Sequence, residues 1–370
     1  MKKDFLKKRF ERPVSLTLRC RIVTPMFLGD AEQKAALRPE PFKGLLRYWW
    51  RVAAGRKYSD HKKLLKAESE IFGGGGDEAQ KSLITMEVAG KPRVIEDPRL
   101  PKVQDVYHPE VGRSGRRINP LLYLGYGPVL WKQGQARYDR PYLGPGENFS
   151  LKITFPESLS EDESFKLGLL YLRAFGAVGS RSRNGWGSFQ VEKIEPGGLK
   201  EQILPEKVAC LPLKKDLFAH KDYPHSLALD PKSKKSLIWR TKNFRNSWPE
   251  VMKDLAEIYI SIRTKLSPDG KDDIDERHLL GFPLTNHPAN SAPNWGSRAR
   301  HASALRFFIR KKKDGYCGFI FHLPFGISQK MRKNATNKEF FTPENQLEIW
   351  QKVHQRLDQT MTRASINECL

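Results

Sequence analysis

Apolar and polar residues alternate along VSLTLRCRIVT, residues 14 to 24, with Val14, Leu16, Leu18, Cys20 and Ile22 on one side. A period of two predicts a half-buried strand, with Arg19 and Arg21 on its outer face and Pro25 at its end. The period then changes. In PFKGLLRYWWRVAAG, residues 41 to 55, Leu45, Trp49, Val52 and Ala53 share one helical face, while Lys43, Arg47 and Arg51 recur every fourth residue on the other. Pro41 suits the start of this helix and Gly55 its stop. A second helical stretch, 61 to 80, ends in the four glycines of GGGGD, which read as a turn into the strand SLITMEVA, 82 to 89. Residues 90 to 148 are irregular. After the strand FSLKITF, 149 to 155, comes a helix apolar around most of its girth, with Ser160 and Glu163 at capping-box spacing. It delivers a glycine-rich loop, 176 to 187, and the strand SFQVEKI, 188 to 194.

This order predicts an α+β protein whose first half is a ferredoxin-like, or split βαβ, domain. PGG at 196 to 198 marks the expected boundary, giving domains 1–198 and 199–370, each able to bury its own core. The second half reads as a looser copy. SWPEVMKDLAEIYISIRTKL, 247 to 266, opens with Ser247 and Glu250 in a capping box, and a last helix opens at Thr342-Pro343. Strands are expected at 304 to 310 and 317 to 323.

Charge changes the picture. A net charge of +23 and a pI near 9.8 point to a polyanionic partner. Two features suit phosphate. The glycine-rich loop sets Gly176, Gly179, Gly185 and Gly187 among Arg181, Arg183 and Asn184, and glycine lets backbone N–H groups approach an anion. A plain connector is the alternative. The row Lys43, Arg47, Arg51 has no acid interleaved, so its members repel by about a few tenths of a kcal/mol per pair, which an external anion would relieve. A simply solvated face is the alternative there. Trp186 either offers a stacking face to a base or plugs the core. Residues 113 to 146 mix cations with aromatics, as a base-stacking surface does, or as an insertion packed on its own domain does. The stretch 286 to 300, with Trp295, Gly296, Arg298 and Arg300, has no hydrophobic period and reads as a disordered loop, or as an RNA or partner contact.

Chemistry is sparse. Cys20, Cys210, Cys317 and Cys369 are singletons without metal-ligand spacing, and the histidines are scattered, so no metal, cofactor or disulfide is expected. Lone cysteines make a reducing cytoplasm the expected home, and a soluble chain is expected because no apolar run is long enough to cross a bilayer. The basic start, MKKDFLKKRFERP, reads as a solvated arm or an RNA or partner contact. Walker, H-E-x-x-H and G-x-S-x-G motifs are absent, and the carboxylates of SPDGKDDIDE, 267 to 276, read as a solvated turn. A metal-independent ribonuclease, needing only one placed base beside cations, stays open.

TPMFLGD, LRPEPFKGLLRYWWR, ESEIFGG and FGAVGSRSRNGWGSF, in that order, resemble successive motifs of the RAMP superfamily of CRISPR proteins. The coupling of KGLLRYWWR to the glycine-rich loop is most similar to the first-named RAMP subunit of the type III-B, or Cmr, effector complex; LLGFPL and RHASALRFFI agree more weakly. The resemblance implies two ferredoxin-like, RRM-like domains with insertions and a non-catalytic RNA-binding subunit. It implies guide RNA, target RNA and other RAMP subunits as partners, with the chain near the guide 3′ end. Lys43, Arg47, Arg51, Arg181 and Arg183 become its binding candidates, beside Gly179, Gly185, Trp186, Arg298 and Arg300 from the residue reading. The alternative within the family is an endoribonuclease that processes guide precursor RNA. The four-glycine run and the 90 to 148 insertion depart from the family pattern.

Overall fold

The computed structural model describes residues 10–58, 60–75, 79–195, 210–219, 221–266, 275–284, 299–333 and 341–370. The start of the basic arm, the boundary at 198, most of the acidic stretch 267 to 276, and Trp295 and Arg298 lie outside the described residues.

β1 (Pro13–Ile22) buries Leu16, Leu18, Cys20 and Ile22, as the alternation requires. It leads through α1 (Pro39–Ala54) and α2 (His61–Phe72) to β2 (Thr85–Ala89). Beyond the insertion come β3 (Asn148–Pro156), α3 (Glu163–Ala174) and β4 (Phe189–Glu195). The sheet order is β4-β1-β3-β2, antiparallel throughout. α3 starts two residues later than its Ser160 signal. Asp162 is the cap, accepting the Phe165 N–H at 2.7 Å, while Ser160 donates to the Glu157 carbonyl in the preceding 3-10 turn.

The second sheet is built from β5 (Ile238–Thr241), α4 (Trp248–Thr264), β6 (Leu305–Lys312), β7 (Gly315–His322), α5 (Pro343–Thr360) and β8 (Met361–Arg363). Its order, β6-β7-β5-β8, links four strands in a second antiparallel sheet, with the hairpin β6-β7 at one edge. Both helix starts fall where the caps predict. Glu250 accepts the Ser247 N–H at 3.1 Å, and Thr342 accepts the Asn345 N–H at 3.3 Å.

The two halves do not bury separate cores. α1 and α3 are apolar beyond the faces their own sheet covers, so the second sheet covers the rest. Phe175 stacks on Phe321 with centroids 4.4 Å apart, and Phe308 and Phe319 join the same cluster. Edge strands β4 and β6 are tied by the Ile309 N–H to Ser188 Oγ at 3.1 Å and the Lys311 N–H to Gln190 Oε1 at 3.0 Å. The insertion crosses the divide too. Its short helix, Pro120–Gly125, buries Leu121 and Leu124 against α4 of the second half, not against its own sheet. Tyr107, Tyr126 and Trp131 of the insertion remain exposed. Among the described residues no helix is long and apolar enough to cross a membrane.

Candidate nucleic-acid interface

α1 buries Phe42, Leu46, Trp49, Trp50 and Val52 and turns its cations outward. Those cations are not left to repel each other, as the sequence suggested. α2 supplies the missing acid: Glu68, almost fully buried, pairs with Arg47 through Nε and Oε1 and sits 3.0 Å from Arg51 Nε through Oε2. The Arg51 contact is close enough for an ion pair but not aligned as a hydrogen bond. Lys43 Nζ donates to the Ile84 carbonyl at 2.9 Å, and burial, with the charge of Arg47, holds its pKa down. One carboxylate therefore serves two guanidiniums, each through Nε. Their Nη edges make no hydrogen bond among the described residues, and the two side chains keep 34% and 38% of their surface exposed.

A fourth basic residue joins this row, and sequence reasoning did not single it out. Arg306, from β6, lies with its Cζ 4.2 Å from the Tyr48 ring centroid and 5.6 Å from that of Trp49; Arg51 approaches the same tyrosine at 5.9 Å. Burial, with the charge of Arg183 acting in the same sense, lowers the pKa of Arg306 to about 10. No carboxylate pairs with Arg306 or Arg183 among the described residues. Arg183 reaches this point because its carbonyl accepts the Phe307 N–H at 2.8 Å, which fastens the glycine-rich loop to β6. The strand pattern held a signal: in ALRFFIR the period of two puts Arg306 and Arg310 on one face with Phe308. Arg310 is fully buried and donates to the Ala174 carbonyl at 2.7 Å, neutralising the negative end of α3 where the loop begins.

The loop's glycines answer to the protein itself. A Cβ at Gly187 would lie 1.8 Å from the Val178 carbonyl oxygen, and one at Gly179 2.6 Å from that of Phe27. The N–H groups of Val178, Ser180, Ser182, Asn184 and Gly187 are all taken by protein carbonyls, so the loop is not an open cradle; those of Gly179, Arg181 and Arg183 make no hydrogen bond among the described residues. Trp186 is 0% exposed and packs between Phe27, Trp248 and Tyr138, which settles its two readings. It is the plug, and with Gly185 also buried neither offers a surface to a base. Arg181 and Arg183 are exposed; Arg181 has φ 58 and donates through Nε to the Tyr126 carbonyl. Arg300 is exposed beside the Phe282–His301 bridge, on neither the helix nor the loop.

Most histidines among the described residues lie in the core. His322 Nδ1 is 2.9 Å from His354 Nε2, and burial drives both pKa values down, His354 to about 3. His225 and His301 are lowered by burial to about 4. No group of three His, Cys, Asp or Glu with metal-site geometry occurs among the described residues.

A model of the RAMP superfamily matches residues 19–190. Over 169 residues the chain is 26% identical to the CRISPR system Cmr subunit Cmr1-1 of Pyrococcus furiosus, a stretch covering 45% of this chain and 43% of that protein. The match thus spans less than half of that relative's length. Among solved structures, the apo crystal structure of Cmr1 from Pyrococcus furiosus is similar with a TM-score of 0.44 at 16% identity, covering 90% of this chain and 96% of that one. A chain of the cryo-EM structure of type III-B Cmr-beta bound to cognate target RNA and AMPPnP, in the presence of ssDNA, gives 0.47 at 11%, covering 94% and 99%. Residues 19–190, which hold the helix cations and the glycine-rich loop, are thus similar to the RAMP superfamily, and a stretch of like length is similar to a Cmr1 subunit.

Proposed function

We propose that the chain is a non-catalytic, RNA-binding subunit of a type III-B (Cmr) RNA-guided effector complex. Its partners are guide RNA, target RNA and other RAMP subunits, it sits near the guide 3′ end, and it works in the cytoplasm. We read both four-stranded units as ferredoxin-like domains, divided near residue 198. The observation that carries this reading is the convergence of Arg51 and Arg306 on Tyr48, with Arg47 sharing Glu68 with Arg51, Arg183 acting on Arg306, and Glu68 the only acid paired with them among the described residues. Guanidinium forks in excess over carboxylates, beside an aromatic ring, suit phosphates and a stacked base. The sequence relative is named as a Cmr subunit, which supports the placement in such a complex.

Most such contacts hold phosphate and ignore base identity, so charge removal weakens binding alike across RNA sequences. The test is fluorescence anisotropy of labelled single-stranded RNA over a salt series with Arg181→Ala/Arg183→Ala. The log–log salt slope should flatten by about 0.7 for each phosphate no longer held. Affinity and slope equal to wild type would overturn the assignment, and site-specific cleavage of RNA by the purified chain in EDTA would overturn its non-catalytic part.

A further inference from the structure

A cleft of about 540 Å3 opens between the insertion, α4 and the segment 280–284 that faces His301. Its volume falls in the range of small-ligand sites, roughly 300–1,000 Å3. Tyr123, Tyr126, Tyr259 and Phe282 line it, Arg263 sits within it, and Arg181 brings the glycine-rich loop to its wall. Arg263 comes from the last turn of α4. It donates to Tyr123 Oη at 3.3 Å, and its Cζ lies 5.4 Å from the Tyr259 ring centroid. The acid on this wall is Glu110, but the buried Arg277 takes it bidentately, at 2.9 and 2.6 Å. Arg263 thus forms no ion pair among the described residues, and the cleft holds excess positive charge among aromatic rings. His301 adds no charge at neutral pH, because burial holds its pKa down at about 4.

We propose that this cleft takes one unstacked nucleotide, with its base against the tyrosine rings and its phosphate on Arg263 and Arg181. A simple carboxylate would use the charge and waste the rings; an uncharged aromatic would do the reverse. A nucleotide uses both, by stacking and by guanidinium–phosphate pairing. The cleft is also coupled to the RNA surface. Arg181 Nε donates to the Tyr126 carbonyl, so the rim of the cleft and the loop beside Arg183 and Arg306 are one piece. A strand lying along α1 and the loop can turn a single nucleotide into it. This rests on the RNA-binding reading for its source, whereas a free nucleoside monophosphate carries the same chemistry.

Two variants test it: Tyr126→Ala, on a side chain 65% exposed and therefore safe for folding, and Arg263→Met, checked by circular dichroism. Each is titrated with labelled single-stranded RNA, with AMP and with UMP, and RNA bearing 5-iodouridine is photocrosslinked and mapped by mass spectrometry. Removing one base stack should weaken RNA binding by at least about fivefold for Tyr126→Ala, and crosslinks should fall on Tyr123, Tyr126 or Tyr259. If RNA binds but neither variant changes its affinity and no crosslink maps to the cleft, the cleft proposal fails while the RNA-binding reading stands. If RNA does not bind at all, the RNA-binding reading fails. The cleft then survives only if AMP or UMP binds and Arg263→Met weakens that binding, and it is overturned if they do not bind.

Discussion

The two halves each build a four-stranded antiparallel sheet, yet their outer helices carry charge in opposite ways. On α1 the cations Lys43, Arg47 and Arg51 have no acid among them, and their only carboxylate among the described residues, Glu68, is buried on another helix. On α4 the acids are interleaved: Asp254 pairs with Arg245 at 2.7 Å and Glu257 with Lys253 at 3.7 Å. The connections differ as well. α3 reaches β4 through a loop fastened to both halves, whereas α5 runs straight into β8. Like architecture therefore fixes neither surface charge nor loops. Among the described residues the first unit gathers guanidiniums in excess of carboxylates, and the second contributes to that cluster through Arg306.

The sharpest break between the halves should appear when ion pairs are cut. Arg47→Ala/Arg51→Ala leaves Glu68 buried and uncompensated, at a cost of about 3–5 kcal/mol in urea unfolding. Adding Glu68→Gln should restore much of that. Glu257→Ala on α4, in an exposed pair, should cost under about 1 kcal/mol. Equal costs at the two places would erase the contrast.

Next is the loop. Gly187→Ala forces a Cβ into the Val178 carbonyl at φ 63, so a destabilisation of about 2–4 kcal/mol is expected, read as a lower urea midpoint. A neutral result would show that the loop is not pinned.

Acid should strike the second half. His301, His322 and His354 are buried there with pKa values pushed below their ordinary 6.5. The folded state then binds fewer protons than the unfolded one, so their contribution is present above pH 6.5 and is lost as pH falls toward about 4. Between pH 7 and pH 5 the change is roughly 2 kcal/mol for His301 and for His354. His354→Phe should flatten the fall of Tm over that window, and an unchanged slope would contradict the assignment.

Much of this fold was legible because long periodic elements repeat their pattern many times. β1, α1, β3, β4, α4 and α5 all lie where alternation or helical spacing puts them. Strands β5 and β8 have four and three residues, too few to show a period, and β8 follows α5 without a break. The site was half legible. Lys43, Arg47 and Arg51 do share a face, but their anion, Glu68, lies on a different helix, and no spacing rule links it to them. Arg306 was hidden for the same reason, since its partners Tyr48 and Arg183 come from the other half. Trp186 misled in part because glycines beside an aromatic look like a ligand loop, when here they admit close packing of the chain on itself.

The most direct measurement compares RNA salt dependence for two charge-removing variants. Arg183→Ala/Arg306→Gln removes cations from the cluster at Tyr48; Lys352→Ala removes one from the second half, where Glu276 and Glu348 already pair with it. For single-stranded RNA, the first variant should bind more weakly with a slope flatter by about 0.7 per phosphate released, while the second matches wild type. Equal slopes in wild type and Arg183→Ala/Arg306→Gln, or a flatter slope in Lys352→Ala alone, would contradict an RNA surface centred on the first unit.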